Sequence, residues 1–393
     1  MAELLGTQGV GALLGTGDAF KSSRLERMLS NFAASYKIYW LKGVFEEVCA
    51  GNGEMTFKRV VARMVASAWY PVVYFRLNLG ASDMLADCID CARATLGLRS
   101  DAGEAEIIDA VESGDDAELT RRVRSLYAYV PYRLIRPFYE ERIAQERAGA
   151  GKWVDRMANP AIARFNREDA AGAPYVFNED LDGLTVNPEW AAYFRDNQHV
   201  IRGWIDMKLV QYLQARNPSV PAIPLKIYPP QARDLSAATR YWKEALALCN
   251  LCEIYTKLPL NEANFARMGQ MSIDHFIPWS FVLHDQPWNL VPMFRNTNSS
   301  KGDRLPSLDD FLGPFCDQQF DALMAVRNTG RHKKVIEAYL QVEPDLTSFE
   351  DVPACRMAFA DDIARVVRPL HQIASNQGFT LWHPSYEYEV VGI

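Results

Sequence analysis

Apolar residues at helical spacing dominate the first half of the chain. From residue 23, Leu25, Met28, Leu29 and Phe32 recur at three- and four-residue steps, and Tyr36, Tyr39, Trp40, Val44 and Phe45 continue the stripe. That is the mark of an amphipathic helix. Gly51-Asn52-Gly53 ends it, and Thr56 offers an N-cap for a helix over 57–69 that Trp69-Tyr70-Pro71 breaks. Further helices are predicted over 83–96, 104–111 and 190–216, the last stopping at Asn217-Pro218. Residues 149–190 carry Gly149, Gly151, Pro160, Gly172 and Pro174 and read as loops and short helices. The proline-rich stretch 219–230 reads as an extended linker and places the main boundary. Helical patterns return over 237–251, 308–340 and 354–375.

The pattern changes character over 272–306. Residues 271–276 are short and apolar around Asp274 and His275, which predicts a strand that Pro278 breaks. Asp285-Gln286-Pro287 is turn chemistry, and 288–294 reads as a second strand. Asn296 to Ser300 offer cap residues for a short helix carrying Lys301 and Asp303. The unit is strand, broad loop, strand, helix.

Folding that hairpin on the helix brings Asp274 and Asn298 together as hard oxygen ligands suited to Mg²⁺. His275 points to the opposite face of its strand. At the hairpin edge it can flank a phosphate and take a proton from an attacking water, beside a metal that stabilises the developing charge. Asn289 either orients His275 or ties the broad loop down. Lys301, three residues after Asn298 on one helical face, is placed to touch non-bridging phosphate oxygens. Arg295 and Arg304 flank these residues as candidate nucleic-acid contacts. Over 120–142, Arg133, Arg136 and four other arginines alternate with aromatics. Such a stretch can track a phosphate backbone and stack on bases, or it can be a helix with its aromatics packed inward.

The order Asp274-His275, then Asn289 fourteen residues after His275, then Asn298 nine further, resembles the HNH (ββα-metal) endonuclease motif. It is the variant ending in Asn, similar to the HNH domain of RNA-guided CRISPR effector nucleases. Ser280-Phe281, Lys301 and Pro306 add to the likeness. The resemblance implies Asp274 and Asn298 as metal ligands, His275 as general base and Asn289 as loop support. It implies a Mg²⁺-dependent cut in DNA, with Mn²⁺ as a substitute. The N-terminal pattern looks like that of bacterial HNH proteins near phage-defence functions, which implies a defence role and a partner protein of such a system. The alternative is a silent nucleic-acid-binding or sensor subunit.

The fold class expected is mainly α: a helical N-terminal domain, then an α+β domain with a ββα-metal core flanked by helices. The divisions expected are 1–22 (a loose N-terminus), 23–218 (helical, for regulation or recognition), 219–236 (linker), 237–306 (nuclease core) and 307–393 (helical extension). Many HNH proteins hold a structural zinc with two Cys-x-x-Cys pairs. Here Cys249 and Cys252 form one pair, and Met293-Phe294-Arg295-Asn296 stands where the second would be. Cys88 and Cys91 lie on a distant helix, so no structural zinc is expected.

Composition adds bounds. At 393 residues, 49% hydrophobic and 23% charged, the chain has room for two or three cores. A net charge of -7 does not suit a protein that coats DNA, but it allows an enzyme with one basic groove. Seven scattered cysteines fit a reducing cytoplasm better than a disulfide framework. Glu3 stands where a signal peptide would be basic, and the run 60–75, interrupted by Arg63, is too short to span a bilayer.

Overall fold

The computed structural model describes residues 19–30 and 34–384, so Phe32 and the glycine-rich residues 1–18 lie outside it. The protein is mainly α, with a few small sheets. It divides into two compact units: Met1–Pro218 with Ile223–Pro230, and Ser219–Ala222 with Gln231–Ile393.

In the first unit, α1 (Ala19–Met28) and α2 (Tyr36–Cys49) replace the single helix expected from residue 23. The apolar stripe runs on in the sequence, but α1 ends at Met28 and Leu29 and Ser30 turn the chain. β1 (Glu54–Thr56) leads into α3 (Phe57–Trp69), whose first turn is capped by Thr56 Oγ1 accepting from Arg59 N at 3.1 Å. The α-helix ends at Trp69, as the Trp69-Tyr70-Pro71 break predicts. The chain passes into a π-helical turn over Tyr70–Tyr74, closed by Phe75 N donating to Tyr70 O at 2.8 Å. Pro71 has no N–H to continue the α-helical ladder, and the ladder changes to the wider π-turn at that point.

α2 and α3 approach closely at Gly43, where a Cβ would meet Val60 O at 3.2 Å. Trp40, Phe57 and Phe177 form a chain of edge-to-face rings in this core. Beside them the buried Glu47 accepts from Arg59 and Arg63. Burial alone would push its carboxyl up, but hydrogen bonds from Arg63, Asn52 and Arg59 outweigh that and hold it below the usual carboxylate range.

Helices α4 (Met84–Thr95), α5 (Glu104–Ser113), α6 (Ala117–Tyr127), α7 (Val130–Ile135), α8 (Glu140–Gly149) and α9 (Ala158–Glu168) follow. β2 (Tyr175–Phe177) and β3 (Gly183–Val186) come next, where only loops and short helices were expected. They make an antiparallel sheet in the order β1-β3-β2. Each strand is three or four residues long, too short to show a period. α10 (Pro188–Asp196), α11 (Gln198–Arg216) and α12 (Ile223–Lys226) complete the unit. The expected extended linker is corrected here: Pro224 sits in the first turn of α12, where proline is compatible with a helix.

The second unit begins with α13 (Ser236–Leu248) and α14 (Glu262–Met268), followed by β4 (Met271–His275) and the one-turn α15 (Trp279–Val282). β5 (Leu290–Phe294) pairs antiparallel with β4, Asp274 opposite Val291 and His275 opposite Leu290. α16 (Arg295–Lys301) follows at once, starting at Arg295 and not after a cap at Asn296. β6 (Leu305–Pro306), α17 (Leu308–Arg327), α18 (Lys333–Tyr339), α19 (Pro353–Asn376) and β7 (Leu381–Trp382) complete it. β6 and β7 pair in parallel, a contact across some 75 residues that local pattern does not disclose.

α13, α14, β5 and α17 share one core of Tyr241, Trp242, Met268, Phe294, Ala322 and Val326, against which Met271 and Ile273 of β4 pack. Phe276 stacks on Phe315 of α17 at 4.1 Å, and Gln319 Nε2 donates to Leu290 O at 2.7 Å. The helices after residue 307 are therefore part of the wall behind the hairpin. No helix among the described residues is long and apolar enough to cross a membrane.

Candidate active site

Alternation along β4 sets the site. Met271 and Ile273 face the apolar core, so Ser272 and Asp274 face the other way. α16 presents Asn298 and Lys301, three residues apart and hence on one helical face, to that side of the strand. Asn298 Nδ2 donates to Ser272 Oγ at 2.6 Å, and Lys301 Nζ lies 2.8 Å from Asp274 Oδ2. Lys301 also donates to His275 O at 2.9 Å.

Lys301 is 0% exposed, while the Asp274 side chain keeps 12%. The sequence placed Lys301 correctly on the face of Asn298, but that face turns inward. The ammonium meets a carboxylate and a backbone carbonyl, not a substrate phosphate, and the expectation of a phosphate contact is corrected here.

Asn289 is fully buried and bonds both backbone groups of Ile277: Ile277 N donates to its Oδ1 at 2.8 Å, and its Nδ2 donates to Ile277 O at 2.9 Å. Phe276 N donates to Asn289 O at 2.8 Å. The side-chain amide thus extends the β4–β5 ladder by one step where Pro278 turns the chain away. Of the two roles the sequence left open, the geometry gives the tie to the loop.

His275 ends β4 on the face opposite Asp274. Its side chain is 2% exposed, with Nε2 2.8 Å from Asp285 Oδ1. On the other side Arg233 Nη1 stands 3.5 Å from Nδ1, and the guanidinium lies over the Trp279 ring at 4.9 Å. Asp285 and Arg233 were missed by sequence reading. Asp285 lies in what read as turn chemistry and Arg233 in what read as linker, and no periodicity marks either. His284 is half-buried, with its ring 5.4 Å from Trp288. Burial, and then the charge of His275, hold its imidazole below the ordinary histidine value.

The remaining candidates divide. Arg295 is exposed at the start of α16 and makes no ion pair among the described residues. Arg304 is exposed and turns back to cap α16, its Nε donating to Lys301 O at 3.2 Å and its second arm to Ser300 O. Arg133 and Arg136 belong to the first unit, where both bond the Asp155 carboxylate at 3.0 and 2.8 Å. Hydrogen bonding from Arg136 is the main cause of that carboxyl's lowered pKa.

A divalent cation fits the chemistry of this face. Asp274 Oδ2 is buried without a hydrogen bond, held only by the charge of Lys301. The Oδ1 atoms of Asp274 and Asn298 accept no hydrogen bond among the described residues. Hard oxygen donors left unsatisfied in this way suit Mg²⁺ or Mn²⁺ better than zinc. No group of three or more His, Cys, Asp or Glu among the described residues is placed to hold a metal ion, and Cys249 Sγ contacts Ala245 O within its own helix.

No curated protein and no solved structure matches this chain. Residues 253–307, which span β4, the tied loop, β5 and α16, match the family model described as HNH endonuclease, and the match supports an HNH nuclease domain over that segment, with nucleic acid as its substrate.

Proposed function

We propose that the second unit is a metal-dependent endonuclease that hydrolyses DNA phosphodiester bonds, by a nick or a double-strand break. The observation that supports this best is the sharing of one β4 face by Asp274 and Asn298, with oxygens left unsatisfied, inside the segment that matches the HNH model. In this reading Asp274 and Asn298 hold Mg²⁺, for which Mn²⁺ substitutes. When bound, the ion would supply positive charge beside the scissile phosphate. His275 is the general base that takes a proton from the attacking water. Asn289 fixes the loop that follows His275, and Lys301 holds Asp274 in place from behind. Arg295 and Arg304 are the exposed cations nearest in sequence to Asn298 and contact the phosphate backbone.

The test is supercoiled plasmid with Mg²⁺, comparing wild type with Asp274→Ala, His275→Ala and Asn298→Ala. Nicking by wild type alone supports the assignment, and nicking that survives His275→Ala contradicts it. A second reading, a nucleic-acid-binding or sensor subunit without catalysis, is favoured by the Lys301 charge already on Asp274 and by the covered His275 ring. Retained DNA binding with no cutting under any divalent ion would select it. A place in cytoplasmic antiviral defence beside a partner protein follows from the resemblance alone. Phage challenge of cells carrying the wild-type or His275→Ala gene tests it.

A further inference from the structure

Both ring nitrogens of His275 have a partner, and the two partners are chemically opposite. A carboxylate only accepts hydrogen bonds and a guanidinium only donates them. With Asp285 Oδ1 at 2.8 Å from Nε2 and Arg233 Nη1 at 3.5 Å from Nδ1, a neutral ring satisfies both in one tautomer: proton on Nε2, lone pair on Nδ1. The ring is 2% exposed, so water offers little competition at either nitrogen. The contacts differ in strength. The Asp285 bond is short, whereas the Arg233 contact sits at the outer limit of hydrogen bonding. Arg233 comes from the irregular segment before α13 and rests on Trp279. A phosphate offers a guanidinium two charged acceptors where the imidazole offers one neutral acceptor.

We propose that Asp285 is the positioning residue of the nuclease site, fixing the tautomer in which Nδ1 of His275 is the proton acceptor, and that Arg233 binds the phosphodiester on the Nδ1 side. The proposal rests on the nuclease reading above. Seating the substrate draws Arg233 from Nδ1 to the phosphate and bares the base in the same event. Water oxygen then bonds to phosphorus while Nδ1 takes its proton. The bond from phosphorus to the leaving 3′-oxygen breaks, and that oxygen keeps the electron pair and is protonated from solvent. Asp285 stabilises the imidazolium until its proton returns to solvent.

Two measurements on the full-length chain decide this. The first is nitrogen NMR of protein labelled at histidine, without metal or DNA, at a pH where the ring is neutral, with His275→Gln identifying the signals. Wild type should show Nε2 protonated and Nδ1 bare, and Asp285→Ala should mix or reverse the tautomers. Protonated Nδ1 in wild type overturns the proposal whether or not the protein cuts DNA. The second is plasmid cleavage kinetics. Asp285→Ala should lower kcat by roughly 10²–10⁴-fold with KM held, and Asp285→Glu should restore part of it. Arg233→Ala should raise KM, with partial recovery in Arg233→Lys. Unchanged or faster turnover in Asp285→Ala would make Asp285 a bystander or a cover, and either result overturns the proposal. A wild type that never cuts defeats the nuclease reading instead, while the NMR still decides the tautomer.

Discussion

Lys301 Nζ lies 2.8 Å from Asp274 Oδ2 and donates to the carbonyl of the very next residue, His275, at 2.9 Å. One buried cation therefore fixes both the carboxylate on one face of β4 and the backbone that carries the histidine to the other. Removing it leaves a largely buried carboxylate unpaired. Lys301→Met should cost about 3–5 kcal/mol of stability in denaturant unfolding. Because Mg²⁺ bound at Asp274 would replace the lost charge, Mg²⁺ should stabilise this variant more than it stabilises wild type. A loss under about 1 kcal/mol, a value usual for exposed pairs, would show that the pair does not hold the site together.

Asn289→Ala removes the two side-chain bonds that extend the ladder past Phe276. Ile277 N–H and C=O would be left buried without partners, at about 1–3 kcal/mol for each group. The expected signature is local: faster amide exchange at Ile277 with the β4–β5 amides still protected. Global unfolding at the wild-type midpoint with unchanged Ile277 exchange would contradict the assignment.

How much of this was legible beforehand follows from the range of each interaction. The placement of Asp274, His275 and Asn298 about the hairpin was legible because strand alternation and helical spacing are local rules, whereas their roles rest on the resemblance. Lys301 shows the limit of that reasoning. Spacing put it on the face of Asn298, but whether that face looks toward solvent or the strand depends on how α16 docks. Asp285 and Arg233 reach His275 from irregular segments, and no periodicity points a loop side chain at a partner ten or forty-two residues away. The sheet of the first unit was missed for the same reason, since Glu54–Thr56 pairs with Gly183–Val186 across the length of the unit. The long helices were read well, and short helices and helix ends less so: α14 was not anticipated, α1 and α2 had merged into one pattern, as had α17 and α18.

Glu47 should give the first unit an acid-sensitive component. Its carboxyl pKa is lower in the folded than in the unfolded chain, so its contribution is present above the unfolded value, near ~4.3, and is lost as pH falls through the depressed folded value. Glu47→Gln should therefore be less stable than wild type at neutral pH, with the gap narrowing on acidification. Denaturant midpoints taken along that pH series check it. A gap that stays constant or widens in acid would contradict the ion-pair account.

The four candidate arginines should differ in their effect on DNA. Arg133 and Arg136 share the Asp155 carboxylate, so alanine at either should leave the salt dependence of binding close to wild type. Alanine at Arg295 or Arg304 should lower the slope of log K against log salt by about one each. Binding titrations over a salt series separate these outcomes, and the reverse ranking would move the DNA interface to the first unit.

The most direct test of the central claim is cleavage of supercoiled plasmid in Mg²⁺ by wild type and by His275→Ala. The account predicts nicking by wild type that EDTA abolishes, that Mn²⁺ supports, and that falls roughly 10²–10⁴-fold in His275→Ala. Equal nicking by the two proteins, or activity that requires Zn²⁺ and ignores Mg²⁺, would contradict it.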